Sequence, residues 1–448
     1  TLAATIAGTV LADEKRAPHS RQVDLTRSVI PEGVAFNEAA ILDTDSPPSA
    51  VKPDIRIALP KEIKATEYSL EYARHTLVPA MGGSLAAGDY DGDGRPDLFV
   101  IRAGSPGRLL RNNGDGTFTD VTVKAGVTGF ETPLSATFAD YNHSGHPSLF
   151  VAGLGGVALY TNRGDGTFTD ETRKRGLPQE PGMLFSHVAV SGIDRDGYPE
   201  ILVTAYSDLS APPRKPAFLF PNDFAGASSR LYRNANGAFK DVTVSAGLAG
   251  NPGRTRRALF AVFDGGSEPD ILLLREDKPP ALYVNRGDGT YEDRTWDAGE
   301  QLSRNAFVDA QVADFDHDGK LDLALWSTMG NRVLLNRGNR QFELAETAPL
   351  VAAPAAPFGF RGAIYGQTGD LLAAGSDGKW HYFANRSGYF REGPCSVLSG
   401  IPSASGVDFV LPLRDGSDSL HLFVLFSSGR IAVLRQGPYA PRKQRAME

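Results

Sequence analysis

The chain has 448 residues with a formal net charge of -7, and 22% of its residues are charged. The acidic balance argues against a protein that binds nucleic acid by neutralising phosphates, and no stretch has the run of about 18 apolar residues that a membrane-spanning helix needs. The single cysteine, Cys395, excludes an internal disulfide, which fits a cytosolic protein or a secreted one stabilised another way. The 49 glycines and 30 prolines suit many short strands joined by turns.

In chain order, the first segment is Thr1–Ala12, apolar and ending in small residues. It reads as the tail of a signal peptide, as a disordered tail or, over Thr1 to Leu11, as an assembly arm; period two puts Leu2, Ile6 and Val10 on one face of a strand, and a helix would also place them together. The stretch Leu42 to Pro53 reads as an extended linker. Residues 1–60 are expected to form an N-terminal extension, and 61–448 the folded domain.

From Gly88 onward the chain repeats. The stretch "GDYDGDGRPDLFV" recurs as "ADYNHSGHPSLFV", "SGIDRDGYPEILV", "AVFDGGSEPDILL" and "ADFDHDGKLDLAL", with a faint copy ending at Asp370. A second motif runs in step, with Asn at 112, 162, 234, 285, 336 and 385, and Gln436 in a worn seventh copy. Most steps are about fifty residues, the range of propeller blades. Each unit reads as four short strands. In the first unit these are Ser84–Ala87, Asp97–Ile101, Arg108–Arg111 and Thr117–Val121, the last two joined by an Asn-Gly-Asp-Gly hairpin signal. The expected fold is an all-β, seven-bladed β-propeller. The third unit carries an insertion from Tyr206 to Arg230. The seventh shows only three strands, near Val407–Leu411, Leu420–Phe426 and Arg430–Arg435. Counting back one repeat from Phe118 places the missing fourth strand near Tyr68, which is expected to close the ring.

The repeated loops carry the chemistry. Asp89, Asp91, Asp93 and Asp97 occupy positions one, three, five and nine of a tight loop, and so do Asp314, Asp316, Asp318 and Asp322. Carboxylates so spaced gather oxygens around a point, which suits calcium with its six to eight oxygen ligands. The carbonyls of Arg95 and Lys320 are candidate further ligands. Without a cation the carboxylates repel one another. A third loop keeps Asp194, Asp196 and Glu200 but has Gly192 at position one. The loop starting at Asp140 has Asn142, Ser144 and Ser148, and the loop with Asp264 and Asp270 keeps only those two. Calcium is therefore expected at two loops and at a third, around Asp194.

This pattern resembles the FG-GAP/VCBS repeats of integrin α-subunit propellers and secreted bacterial proteins. The element from Asn112 to Val127, repeated less fully at Asn162 to Leu177 and Asn234 to Leu248, is similar to that of bacterial relatives of cartilage acidic protein. The resemblance spans roughly Thr66 to Gln436. It implies a calcium-bearing propeller outside the cell or at its surface, acting in adhesion or assembly.

Remaining signals are weaker. Two RGD triplets, at Arg163 and Arg286, lie inside the repeat consensus and read as hairpin tips. Asn142 and Asn385 begin glycosylation sequons. No H-E-x-x-H, G-x-S-x-G or P-loop occurs, and Arg102, Tyr206 and Arg361 are the candidates to line a face. Two functional classes result. One is a non-catalytic interaction, adhesion or structural module that binds a protein or glycan on a propeller face and self-assembles into an oligomer or filament. The other is a carbohydrate-active, lyase-like enzyme with a site in the funnel, which a cluster of His, Lys, Tyr and Arg at its mouth would favour.

Overall fold

A computed structural model describes residues 36–42, 70, 73–102, 104–177, 179–210, 224–327, 331–345, 362–365, 369–374, 378–392, 403–414 and 420–436. The first strand, β1 (Phe36–Leu42), is followed by β2 (Ser84–Gly88), β3 (Asp97–Ile101), β4 (Arg108–Asn112) and β5 (Phe118–Asp120). Strands β2 to β5 pair in sequence as one antiparallel four-stranded blade. Next come β6 (Pro133–Ala139), β7 (Ser148–Asn162), β8 (Phe168–Asp170), β9 (Gln179–Ser191), β10 (Glu200–Asp208), β11 (Arg230–Ala235) and β12 (Ala238–Asp241). Two more blades follow, β13 (Thr255–Ala261) to β16 (Tyr291–Asp293) and β17 (Asp309–Ala313) to β20 (Phe342–Leu344). Then come β21 (Gly362–Tyr365) to β24 (Tyr389–Glu392), and finally β25 (Val407–Arg414), β26 (Leu420–Phe426) and β27 (Ile431–Gln436).

The fold is an all-β propeller, with two corrections to the expectation. Five four-stranded blades are present among the described residues, not seven. The second and third repeat units form one seven-stranded sheet instead of two separate blades. The cause is β7, which runs for 15 residues through what was expected to be two strands and a turn. Its middle pairs with an early start of β9, Leu154 opposite Leu184 and Gly156 opposite Gln179, across an irregular register. The glycines at 155 and 156, both at positive φ, bend the strand there without ending it.

The second correction concerns closure. The fourth strand of the last sheet is β1, antiparallel to β27 with Phe36 opposite Gln436 and Leu42 opposite Ile431. It comes from farther upstream than the segment near Tyr68, and Tyr68 lies outside the described residues. β1 therefore falls inside residues 1–60, which were expected to be an extension. Repeat spacing cannot locate a strand joined to the ring through a connection of arbitrary length.

The core lies between neighbouring units. Strands β3, β14 (Asp270–Arg275) and β18 (Asp322–Trp326) are buried at every position, as expected of strands covered on both faces. Leu85, Leu98 and Val100 of the first blade pack with Leu411, Phe423 and Val433 of the last sheet, so the ring closes through apolar contact.

One joint recurs around the ring. In four of the loops the residue after position one sends its ring against an aromatic in the outer strand of the next unit. Tyr90 stacks on Phe168 at 5.7 Å, Tyr141 meets Phe239 at 5.6 Å, and Phe263 meets Phe342 at 5.6 Å. Phe315 meets Phe390 at 5.4 Å. The main-chain carbonyls of these residues accept hydrogen bonds from the repeat asparagine of the next unit: Asn162 Nδ2 to Tyr90 at 2.8 Å, Asn234 to Tyr141 at 2.7 Å, Asn336 to Phe263 at 2.9 Å and Asn385 to Phe315 at 2.8 Å. Asn285 reaches Ile193 in the same way at 3.1 Å.

Candidate metal centres

The loop between β2 and β3 is shaped by its first carboxylate. Asp89 Oδ1 accepts from the amides of Gly92 (2.8 Å) and Asp93 (3.1 Å), and Oδ2 from Gly94 (2.9 Å). The chain must turn sharply to bring these amides round, and Gly94 at φ +83° permits it. The last carboxylate, Asp97, opens β3 and is fully buried. Its Oδ2 accepts from Tyr90 N (3.2 Å) and its Oδ1 from Asn112 N (2.8 Å). Between them stands Asp91, whose Oδ1 is buried and accepts no hydrogen bond. Asp89, Asp91 and Asp97 can place one oxygen each within 4.8 Å of one another.

The loop between β17 and β18 repeats this arrangement. Asp314 takes the amides of Asp318 (3.1 Å) and Gly319 (2.9 Å). Asp322 takes those of Phe315 and Asn336, both at 2.7 Å. Asp316 Oδ1 is again buried without a hydrogen bond, while Oδ2 accepts from Arg337 at 2.8 Å. Asp314, Asp316 and Asp322 form the second cluster.

Asp194, Asp196 and Glu200 form the third, with Glu200 Oε2 accepting from Ile193 N at 3.1 Å. Two expected ligands stand apart from the clusters. Asp93 and Asp318 turn to their own loops, accepting the amides of Arg95 and Lys320 at 2.9 Å and pairing with those two side chains. Arg95 also donates from Nε to the carbonyl of Asn112 at 3.2 Å.

Burial makes these groups costly to ionise together. It pushes Asp97 up to about 7, against the lowering effect of the Asn112 and Tyr90 amides and with a further rise from Asp91. Burial likewise lifts Asp322 to about 6, and burial followed by repulsion from Asp194 lifts Glu200 to about 8. Converging carboxylates strained in this way, with one buried oxygen unpaired in each full loop, fit a hard divalent cation.

The last carboxylate has a second duty that the sequence did not reveal. Asp270 belongs to a loop with an acid at only one other ligand position, Asp264, yet it takes the amides of Phe263 (3.0 Å) and Asn285 (2.9 Å) in the same way. Asp370 takes Asn385 N at 2.8 Å, and in the second unit Ser148 Oγ takes Asn162 N at 3.0 Å. This position pins the third strand of each unit to the loop whether or not a metal is involved. The repeat asparagine completes the joint, since its Oδ1 accepts the amide of a hairpin glycine (Gly114, Gly164, Gly287 or Gly338) at 2.8–3.0 Å. Read in sequence, that asparagine signalled only a hairpin.

The other candidates resolve plainly. Asn385 is buried with its amide donated to Phe315, so in the folded chain its sequon is closed to glycan. Both RGD arginines are exposed but held on their own hairpins, Arg163 by Thr169 and Arg286 by Glu292. Tyr206 is fully buried with its hydroxyl on Glu276, so it lines no face. Arg102 lies against Gly429. Arg361 and Cys395 lie outside the described residues, as does Thr1–Ala12. Among the described residues no helix is long and apolar enough to cross a membrane.

Comparison with known proteins agrees with the repeat reading. A family model described as an FG-GAP-like repeat matches residues 89–151, 140–203 and 263–325. Human cartilage acidic protein 1 is 33% identical over 86 residues, which is 19% of this chain and 13% of that protein; the match therefore spans a small part of the relative's length. Among solved structures, Saccharomyces cerevisiae Sqt1 gives a TM-score of 0.47 at 14% identity, covering 80% of this chain and 97% of that one. An Agrocybe aegerita lectin described as recognising non-reducing terminal N-acetylglucosamine gives 0.44 at 16% identity, covering 72% and 80%. BBS1N, solved in complex with ARL6DN, gives 0.45 at 13% identity, covering 80% and 92%. From the repeated loops, the joints between units and the matched segments, the chain is a β-propeller that carries FG-GAP-like repeats over residues 89–203 and 263–325.

Proposed function

We propose that this propeller is a non-catalytic, calcium-stabilised interaction or structural module that works outside the cell or at its surface. The observation that carries the reading is the pair of full loops, each with three converging carboxylates and one buried oxygen that accepts no hydrogen bond. Asp89, Asp91 and Asp97 would hold one ion, and Asp314, Asp316 and Asp322 another. Each ion would neutralise charge that burial otherwise makes costly, and would tie the loop to the strand that follows. Extracellular calcium modules work with dissociation constants of about 10⁻⁴–10⁻³ M, which three protein carboxylates with backbone and water oxygens would supply. The FG-GAP repeats and the match to cartilage acidic protein support an extracellular location and an adhesive or assembling role. The partner, a protein or a glycan, would dock on a propeller face.

Calcium that binds only the folded state stabilises it by mass action, by about 2.7 kcal/mol at a hundredfold excess over the dissociation constant. Thermal melts in excess calcium and in EGTA test this. The melting temperature is expected to fall in EGTA, and the double variant Asp91→Asn, Asp316→Asn is expected to lose the response. Equal melts in both buffers for the unaltered chain would sink the reading.

A further inference from the structure

The third acidic loop differs from the two full ones in what faces it. Arg233, on β11 directly before the repeat Asn234, sets its guanidinium against Asp194, whose side chain is 4% exposed. The contact is an ion pair off hydrogen-bond geometry, held by charge. The other oxygen of Asp194 accepts the amide of Asp196 at 3.2 Å, so both oxygens have company. Asp194 Oδ2 is, like Asp91 Oδ1 and Asp316 Oδ1, buried without a hydrogen bond; it differs in the guanidinium set against it, whereas among the described residues the full loops keep that oxygen clear of any cation. Asp91 Oδ1 has no hydrogen bond, and Arg111, which precedes Asn112 as Arg233 precedes Asn234, makes no ion pair with Asp91 among the described residues. Asp316 does meet Arg337, but through Oδ2, leaving Oδ1 unpaired.

The third loop also lacks its first carboxylate. Gly192 cannot wrap the loop amides as Asp89 and Asp314 do. The residue at position four, Arg195, holds a left-handed φ of 60° and turns away to Glu268 and Ser267 of the neighbouring blade. Three acids are thus gathered with one ligand position missing and a cation already in place.

We propose that Arg233 is the resident cation of this loop, and that the loop takes no divalent ion while Arg233 is present. The inference rests on the calcium reading of the two full loops. It corrects the expectation of a third ion, and makes one joint of the ring independent of calcium while two depend on it. A guanidinium tethered to the adjacent strand is not lost on dilution or chelation.

Calcium bound per chain, measured by equilibrium dialysis and elemental analysis at millimolar calcium, tests it. The unaltered protein is expected to hold two ions and Arg233→Gln three, with Arg233→Lys remaining at two because the charge is kept. Arg233 is half-exposed, so the variants are expected to fold, which circular dichroism checks. Three ions in the unaltered chain would overturn the role of Arg233 and leave the calcium reading standing. Two ions in both the unaltered chain and Arg233→Gln would also overturn it, leaving the missing first carboxylate as the reason the loop stays empty. No ions in any of the proteins would overturn both readings together.

Discussion

Replacing Asn336 by alanine tests the joint between repeat units. Asn336 is fully buried. Its Nδ2 donates to Phe263 O in the preceding blade (2.9 Å) and to Leu321 O in its own loop (3.2 Å), and its Oδ1 accepts from Gly338 N (3.0 Å). Alanine leaves two carbonyls and one amide without these partners. Each buried group left unsatisfied costs about 1–3 kcal/mol, and relaxation or an entering water recovers part of that. A loss of about 3–5 kcal/mol is therefore expected, at the upper end of single substitutions. The Asn336 main-chain amide still reaches Asp322 at 2.7 Å, so the acidic loop should keep its shape. Equilibrium urea unfolding in excess calcium, followed by tryptophan fluorescence, is the assay. Asn336→Asp serves as the companion variant: it keeps the acceptor for Gly338, loses both donors and adds charge beside Asp322, so it should be at least as damaging. A midpoint shift worth less than about 0.5 kcal/mol for Asn336→Ala, the size of an ordinary surface change, would refute the account of the joint.

Three other outcomes are expected. Burial lifts the Asp270 carboxyl to about 6, above its unfolded value near 3.9; between those values the folded chain holds a proton that the unfolded chain has released, so this group's contribution falls as pH rises through that window. The change is about 2–3 kcal/mol, and urea midpoints at pH 4 and pH 7 should show a smaller decline for Asp270→Asn than for the unaltered chain; equal declines would refute it. Deleting 36–42 uncovers the edge of β27 and should lower the melting temperature by roughly 5 °C or more, whereas an unchanged melt would mean that β1 adds nothing to closure. If Thr1–Leu11 is an assembly arm, light scattering should give a larger mass for the full chain than for one starting at Asp13, and equal monomeric masses would end that idea.

What was legible in the sequence was local. The spacing of Asp89 to Asp97 and of Asp314 to Asp322 names a tight loop followed by a buried strand, because each step is a contact within about ten residues. β3 begins at Asp97 and β18 at Asp322, as read. Where the partner was distant the reading failed. Nothing in "LFVAGLGGVALYTN" says that the strand continues through its glycines, since glycine permits a turn without requiring one; pairing with β9 decides it. The closing strand had the same difficulty, because any extended segment of suitable length can lie on an open edge.

The repeat asparagine shows why even a strong motif was half read. Its carboxamide has two donors and an acceptor. The acceptor serves the hairpin two or three residues on, as the hairpin rule anticipates. The donors go to main-chain carbonyls, one of them some 70 to 90 residues away, and a carbonyl has no side-chain signature to look for. The aspartate at position nine was half read for the same reason. As a ligand it belongs in a full acidic loop, but Asp270 keeps its place where the other acids are largely gone. Its two oxygens hold the amide after position one and the amide of the repeat asparagine, and that asparagine holds the carbonyl of the preceding unit. Carboxylate, strand and neighbouring unit are linked through one short chain of hydrogen bonds. An ion at Asp97 or Asp322 would therefore act directly on the joint between units, and an arginine at Asp194 would act on the same joint without an ion.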